Sequence, residues 1–329
     1  MLYLLCRTVR IKHERMDNYM QIKTAAIIGF GAIGCVYGRH LVKYMGDDFA
    51  VIAGGKRGDK LRENGIVIDG ETLMPNVISP DDNNFKADII ILSVKNYALD
   101  SAIEDIKNIV TPETILLPIF NGIAGREKLA KAFPDNTVLY GLCRTDALRT
   151  DDGIICSWEG PIEFGNADNH ELSSEVNAVK DLFDAAGVKN EVCTDMQRAV
   201  WLKFMRNVSM NQLAAVTGLS YDALRTIPEM SQSVKEIMTE VVNVARGEGI
   251  DLRYSDVEEC YEIMAASSGD AKPSTLQDVE AGRPLETDIF AGSVIEEGKK
   301  AGVATPWNDV IYKLLKIKEA SYTKQEETI

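Results

Sequence analysis

The 329-residue sequence predicts an α/β chain: an N-terminal Rossmann-type doubly wound sheet domain over residues 21–194, followed by a C-terminal all-α domain over residues 195–329. Three observations predict it. From Ile22 to about Cys193, short apolar runs alternate with helical patterns, the signature of βαβ units and of a parallel sheet covered on both faces. The first of these runs stops at the glycine-rich stretch Gly29-Phe30-Gly31-Ala32-Ile33-Gly34 and passes directly into a helical pattern. After Thr194 the strand signals nearly vanish and only helical periodicity remains, which sets the domain boundary near residue 194.

In chain order, residues 1–20 carry an apolar stretch too short for a membrane span or a leader, and they are expected to form a dispensable tail. Ala25–Ile28, Phe49–Ala53, Ala87–Val94 and Thr114–Phe120 read as buried parallel strands. Between Gly65 and Ser79 an Asp-Gly pair separates two strand-like segments, which predicts a hairpin. Thr137–Leu142, Gly153–Trp158 and Ile162–Phe164 are expected to continue the sheet with antiparallel strands. Helices are predicted over Met196–Val216, Pro228–Gly247, Ser255–Ala266, Thr287–Ala301 and Pro306–Ala320.

Composition excludes several functions. A formal net charge of -14 opposes general binding to nucleic acid or to an anionic membrane surface, so an anionic ligand must meet a local cluster of positive groups. The cysteines Cys6, Cys35, Cys143, Cys156, Cys193 and Cys260 are scattered without a CxxC pair, as expected for buried thiols in the reducing cytoplasm. His13, His40 and His170 lie too far apart in sequence to form a metal-ligand spacing, so no metal is expected.

The glycine stretch has the spacing and context of a dinucleotide fingerprint. Gly29 permits a tight turn, Gly31 lets the backbone approach a pyrophosphate, and Gly34 lets the helix pack on the strand, while the N–H groups of Phe30, Ala32 and Ile33 belong to the same phosphate-facing turn. The second strand should end on an acid if the cofactor is NAD. It runs instead into Lys56-Arg57, a local positive sign that favours NADP. Asp47 and Asp48 precede that strand, at its wrong end for ribose binding. Two further strand ends, Ser93-Val94-Lys95-Asn96 and Pro118-Ile119-Phe120-Asn121-Gly122, face the same crevice, so Lys95 and Asn121 are candidates to hold cofactor or substrate.

In the second domain, the helix over Met196–Val216 is apolar nearly all round, yet Lys203, Asn207 and Asn211 recur at intervals of four along one face. Burying an ammonium and two amides without partners costs several kcal/mol, so something polar must meet this stripe. A partly buried lysine has its pKa lowered towards the operating pH, which suits Lys203 to act as a general acid. Further on, Glu286 and Asp288 stand at the start of a predicted helix. By electrostatics alone they read as caps rather than catalysts.

Together, the glycine loop, SVKNY with Lys95, FNG with Asn121, LKFMRNVSMN and KPSTLQDVEAGRPLETD followed by GVATP resemble the ketopantoate reductase family, over nearly all of Ile22–Ala320. The resemblance implies an NADPH-binding first domain and a helical domain that closes over a small 2-oxo acid. It implies Lys203 as the catalytic lysine and Glu286 as the acid that hydrogen-bonds the substrate hydroxyl. Asn207, Asn211 and Ser274 match residues that hold substrate, and Asn121 one beside the nicotinamide. Lys95 matches a cofactor-binding lysine, and Lys56-Arg57 occupy the place of the phosphate-reading arginine. Leu285, Ala124-Gly125-Arg126 and Cys143-Arg144-Thr145 depart from the family pattern, which bears on the substrate more than on the reaction. The expected activity is reduction of 2-dehydropantoate to pantoate, in the cytoplasm, with no nucleic-acid or membrane partner and with a homodimer left open. The alternatives are a related reductase of another 2-oxo acid and a non-catalytic NADPH-binding sensor, which would have no need of Lys203 and Glu286.

Overall fold

A computed structural model describes residues 20–266 and 271–326; the expected tail, apart from Met20, lies outside them. The chain divides into two compact units, one formed by residues up to 121 together with 125–196, the other by 122–124 together with residues from 197 onward.

The first unit begins β1 (Ala25–Ile28), α1 (Ala32–Met45), β2 (Phe49–Ile52), α2 (Gly55–Asn64), β3 (Ile66–Ile68), β4 (Glu71–Leu73), β5 (Asn76–Ile78), β6 (Ile89–Leu92), α3 (Leu99–Ile106), β7 (Ile115–Pro118) and α4 (Gly125–Ala132). It ends with β8 (Tyr140–Thr150), β9 (Gly153–Gly165), α5 (Ser174–Ala186) and β10 (Asn190–Val192). Five strands form a parallel sheet in the order β5-β2-β1-β6-β7. Alternation of side chains splits β1 between two cores. Ala25 and Ile27 join Val36, Tyr37 and Phe183 from α1 and α5, whereas Ala26 and Ile28 join Leu99, Ile103 and Leu129 from α3 and α4. Helices thus cover both faces, as a doubly wound sheet requires.

The predicted hairpin is present as β3 and β4, and its turn residues Asp69 and Gly70 both have positive φ (50° and 81°), the combination a tight two-residue hairpin demands. The antiparallel strands do not continue the parallel sheet. After one parallel bridge, Leu116 to Val138, the chain leaves for a second sheet in which β8 pairs with β9, and β9 also pairs with β3 and β10. Apolar alternation marks a strand but does not choose its partner, so the sequence left this transfer invisible.

The second unit is helical: α6 (Met196–Arg206), α7 (Gln212–Thr217), α8 (Ala223–Thr226), α9 (Pro228–Gly247), α10 (Tyr254–Ala265), α11 (Ser274–Glu280), α12 (Ser293–Ala301) and α13 (Pro306–Glu326). Its core gathers Phe204, Met205, Val208, Met238, Val241, Phe290 and Leu315. Two of the predicted helices are not continuous α-helices. Asn207–Asn211 and Asp288–Gly292 are wider π-helical turns, the first joining α6 to α7 and the second leading into α12. Among the described residues no helix is long and apolar enough to cross a membrane.

Candidate active site

In the first unit, β1 lies between β2 and β6, where the strand order reverses, and the glycine loop leaves its carboxyl end. Gly29 has φ of 92°, and a Cβ there would stand 2.4 Å from the Ser93 carbonyl oxygen at the end of β6. A Cβ on Gly34 would stand 2.3 Å from the Gly29 carbonyl oxygen, so the first turn of α1 sits directly on the loop. Gly31 differs from both. No atom lies within 4 Å of where its Cβ would be, so internal packing does not require glycine there. The space left is open at the N-terminus of α1, which has no side-chain cap and no acid in its first turn. Uncapped N–H groups at the positive end of a helix suit a phosphate. Phe30 is buried against Gly38, so within the motif it offers only its backbone, while Ala32 and Ile33 open α1.

Lys56 and Arg57 occupy the first turn of α2, exposed, again with no acid and no side-chain cap. Asp47 and Asp48 lie in the turn that precedes β2, at the opposite end of that strand. Cys35, in α1, is a buried free thiol. Burial pushes its pKa up to about 12 even though the nearby charges of Arg149 and Arg57 favour the thiolate. Lys95 follows β6 and Asn121 follows β7, both half-buried, at the same carboxyl edge of the sheet as the glycine loop.

In the second unit, Lys203 stands on α6, half-buried, between the buried Leu202 and Phe204. Asn207 and Asn211 are the first and last residues of the π turn. Asn211 is buried, and its Nδ2 donates to Ser274 Oγ, 3.2 Å away, on the first residue of α11. The structure therefore brings two predicted substrate residues together from segments 63 positions apart. Glu286, 7% exposed, is separated from the second π turn by Thr287 alone. Asp288 is not a cap. Its carboxylate accepts from Tyr312 Oη at 2.8 Å and Lys316 Nζ at 2.7 Å; burial works against its ionisation, but these two partners outweigh burial and hold the carboxyl below its ordinary range.

Sequence reasoning missed Ser209 and Gln212, both fully buried in the lysine-bearing segment. Ser209 Oγ donates to the Met205 carbonyl at 2.9 Å and Gln212 Nε2 to the Val208 carbonyl at 2.9 Å. The available signal was two polar residues on the apolar side of that helix. Among the described residues no group of three or more His, Cys, Asp or Glu side chains is placed to hold a metal ion.

The family model described as ketopantoate reductase PanE/ApbA matches residues 25–169, and that of its C-terminal part matches residues 195–319. A 2-dehydropantoate 2-reductase of Streptococcus pyogenes is 28% identical over 301 residues, spanning 89% of this chain and 97% of its own. The crystal structure of 2-dehydropantoate 2-reductase from Methylococcus capsulatus superposes with a TM-score of 0.79 at 28% identity, covering 91% of this chain and 97% of that one. A D-mandelate dehydrogenase in ternary complex with NADH and anilino(oxo)acetate shares the fold, with a TM-score of 0.82 at 24% identity over 91% of this chain and 99% of that one. With both family models matched in order over most of its length, the chain belongs to the ketopantoate reductase family.

Proposed function

We propose that the chain is an NADPH-dependent 2-oxo acid reductase that converts 2-dehydropantoate to pantoate, a step towards pantothenate and coenzyme A. The observation that carries this reading is the polar set on the helical unit: Lys203, Asn207 and Asn211 along one otherwise apolar segment, with Asn211 already bonded to Ser274. An ammonium and two amides held along one segment whose other side chains are apolar suit the carbonyl and carboxylate of a small acid.

Residues 21–194 form the cofactor domain and residues 195–329 the substrate domain. The open space at Gly31, the uncapped N-terminus of α1 and the exposed Lys56-Arg57 pair fit a dinucleotide with a 2′-phosphate. Lys95 assists in holding the cofactor, and Asn121 orients the nicotinamide end and the substrate carbonyl. When bound, the reduced nicotinamide supplies a hydride to the ketone carbon. Lys203 gives a proton to the ketone oxygen as negative charge develops there, so that a hydroxyl and not an alkoxide results. Glu286 accepts a hydrogen bond from that hydroxyl, while Asn207, Asn211 and Ser274 fix the remainder of the acid.

A second reading keeps the chemistry and changes the substrate. Leu285 beside Glu286, and Arg144, whose guanidinium is tied to Glu163, stand where the family pattern differs, and they favour a 2-oxo acid other than 2-dehydropantoate. Following NADPH absorbance with the purified chain against a panel of 2-oxo acids separates the two. Turnover highest on 2-dehydropantoate supports the first reading, turnover on another member supports the second, and binding of NADPH without turnover on any member would leave only the sensor.

A further inference from the structure

Each π turn of the helical unit displaces one backbone group from its helical partner, and a single side chain takes one such group from each turn. In the second turn the Gly292 N–H donates to the Thr287 carbonyl at 3.1 Å, the longer pairing typical of a π turn. In a regular helix that carbonyl would bind the Ala291 N–H. The Ala291 N–H donates instead to Gln212 Oε1, 3.1 Å away. In the first turn the Gln212 backbone N–H donates to the Ser209 carbonyl, and the Val208 carbonyl accepts from Gln212 Nε2 at 2.9 Å. The Gln212 side chain, 0% exposed, is thus bonded at both ends, to the segment carrying Lys203, Asn207 and Asn211 on one side and to the turn that follows Glu286 on the other.

We propose that Gln212 is a positioning residue that sets the register of the lysine-bearing helix against the glutamate-bearing turn, an inference that rests on the reading of the site given above. The amide meets both demands while uncharged, since one end must accept from an N–H and the other must donate to a carbonyl. Leaving either partner unpaired in an apolar core favours relaxation of that turn towards regular α-helix, and such a change of one residue per turn rotates Asn211 or Glu286 away from its present direction.

The test is Gln212→Met, which keeps the length and removes both bonds, measured by circular dichroism, NADPH affinity and steady-state kinetics with the best 2-oxo acid of the panel. The expected result is a folded protein with NADPH affinity within about twofold of wild type, kcat at least about tenfold lower and KM for the 2-oxo acid raised. A folded variant with wild-type kcat and KM, whatever its melting temperature, would assign Gln212 to stability alone and overturn the inference. If Gln212→Met does not fold, Gln212→Leu removes the same two bonds with a shorter side chain and is expected to show the same kinetic losses; wild-type kinetics in that folded variant would again overturn the role. Hydrogen exchange of the native protein provides a readout free of activity: the Ala291 amide is expected to be protected, and rapid exchange there would contradict the bond itself. Lys203→Ala in the same assays separates the two levels, since retained turnover in that variant sinks the site reading, whereas its loss beside unchanged Gln212→Met kinetics sinks only this one.

Discussion

The surfaces proposed for the two units are built by opposite means. At the glycine loop the surface is backbone: Gly29 and Gly34 let the loop, β6 and the first turn of α1 pack closely, and Gly31 leaves open space beside the peptide N–H groups at the start of α1. On the helical unit the surface is side chain: Lys203, Asn207, Asn211 and Glu286 are carried by segments that two π turns distort and that buried polar groups tie together. A backbone surface tolerates many side chains around it and fails at particular glycines. A side-chain surface depends on the helix phase, and so on residues that never touch a ligand.

The largest expected effect falls on the side-chain surface. Lys203→Ala should lower kcat by at least about a hundredfold, corresponding to about 3 kcal/mol of lost transition-state stabilisation, with NADPH affinity unchanged by fluorescence titration. Next comes a contrast between two glycines of the same loop: Gly34→Ala places a methyl 2.3 Å from a carbonyl oxygen and should cost about 3 kcal/mol of stability, read as a lower melting temperature. Gly31→Ala meets no protein atom, so its melting temperature should stay at the wild-type value while NADPH affinity falls. Equal destabilisation of the two variants would refute the assignment of Gly31 to a ligand.

Arg57→Ala should weaken NADPH roughly tenfold, the loss of one charge-assisted contact, and leave NADH unchanged; an unaltered NADPH-to-NADH preference excludes the 2′-phosphate role. The smallest effect concerns Asp69, whose carboxylate accepts from the Cys156 N–H at 2.8 Å and pairs with Arg39 at 2.7 Å. The Cys156 N–H outweighs the opposing effect of burial and, with Arg39 adding to it, holds this carboxyl below its ordinary range. A depressed folded-state pKa gives stability that is complete above the unfolded value and lost as pH falls through the folded one. Because the carboxylate is more than a third exposed, solvent screens the pair, and Asp69→Asn should flatten the acid limb of a stability-versus-pH curve below about pH 4 only slightly.

The same contrast explains what the sequence disclosed. β1 was legible to the residue because an apolar run ends on a glycine, and α9 at both ends because Pro228 opens it and Gly247 closes it. The tight turn at Gly29 and the close packing at Gly34 were legible because a missing side chain is itself a signal. The departure of β8 and β9 into a second sheet was not legible, since pairing is decided by long-range partners such as Ile68 with Ile154. Nor were the π turns: Lys203, Asn207 and Asn211 fit a regular helix by spacing, and the widening is stabilised by Gln212 and by Ala291, 79 residues further along the chain.

The role proposed for Lys203 is to deliver the proton that accompanies hydride transfer. Its most direct test is a single-turnover measurement with NADPH-loaded Lys203→Ala and the best 2-oxo acid, with and without added methylamine. Slow NADPH oxidation that the free amine partly restores is the expected result. Oxidation as fast as in the wild type, with no response to amine, would contradict it.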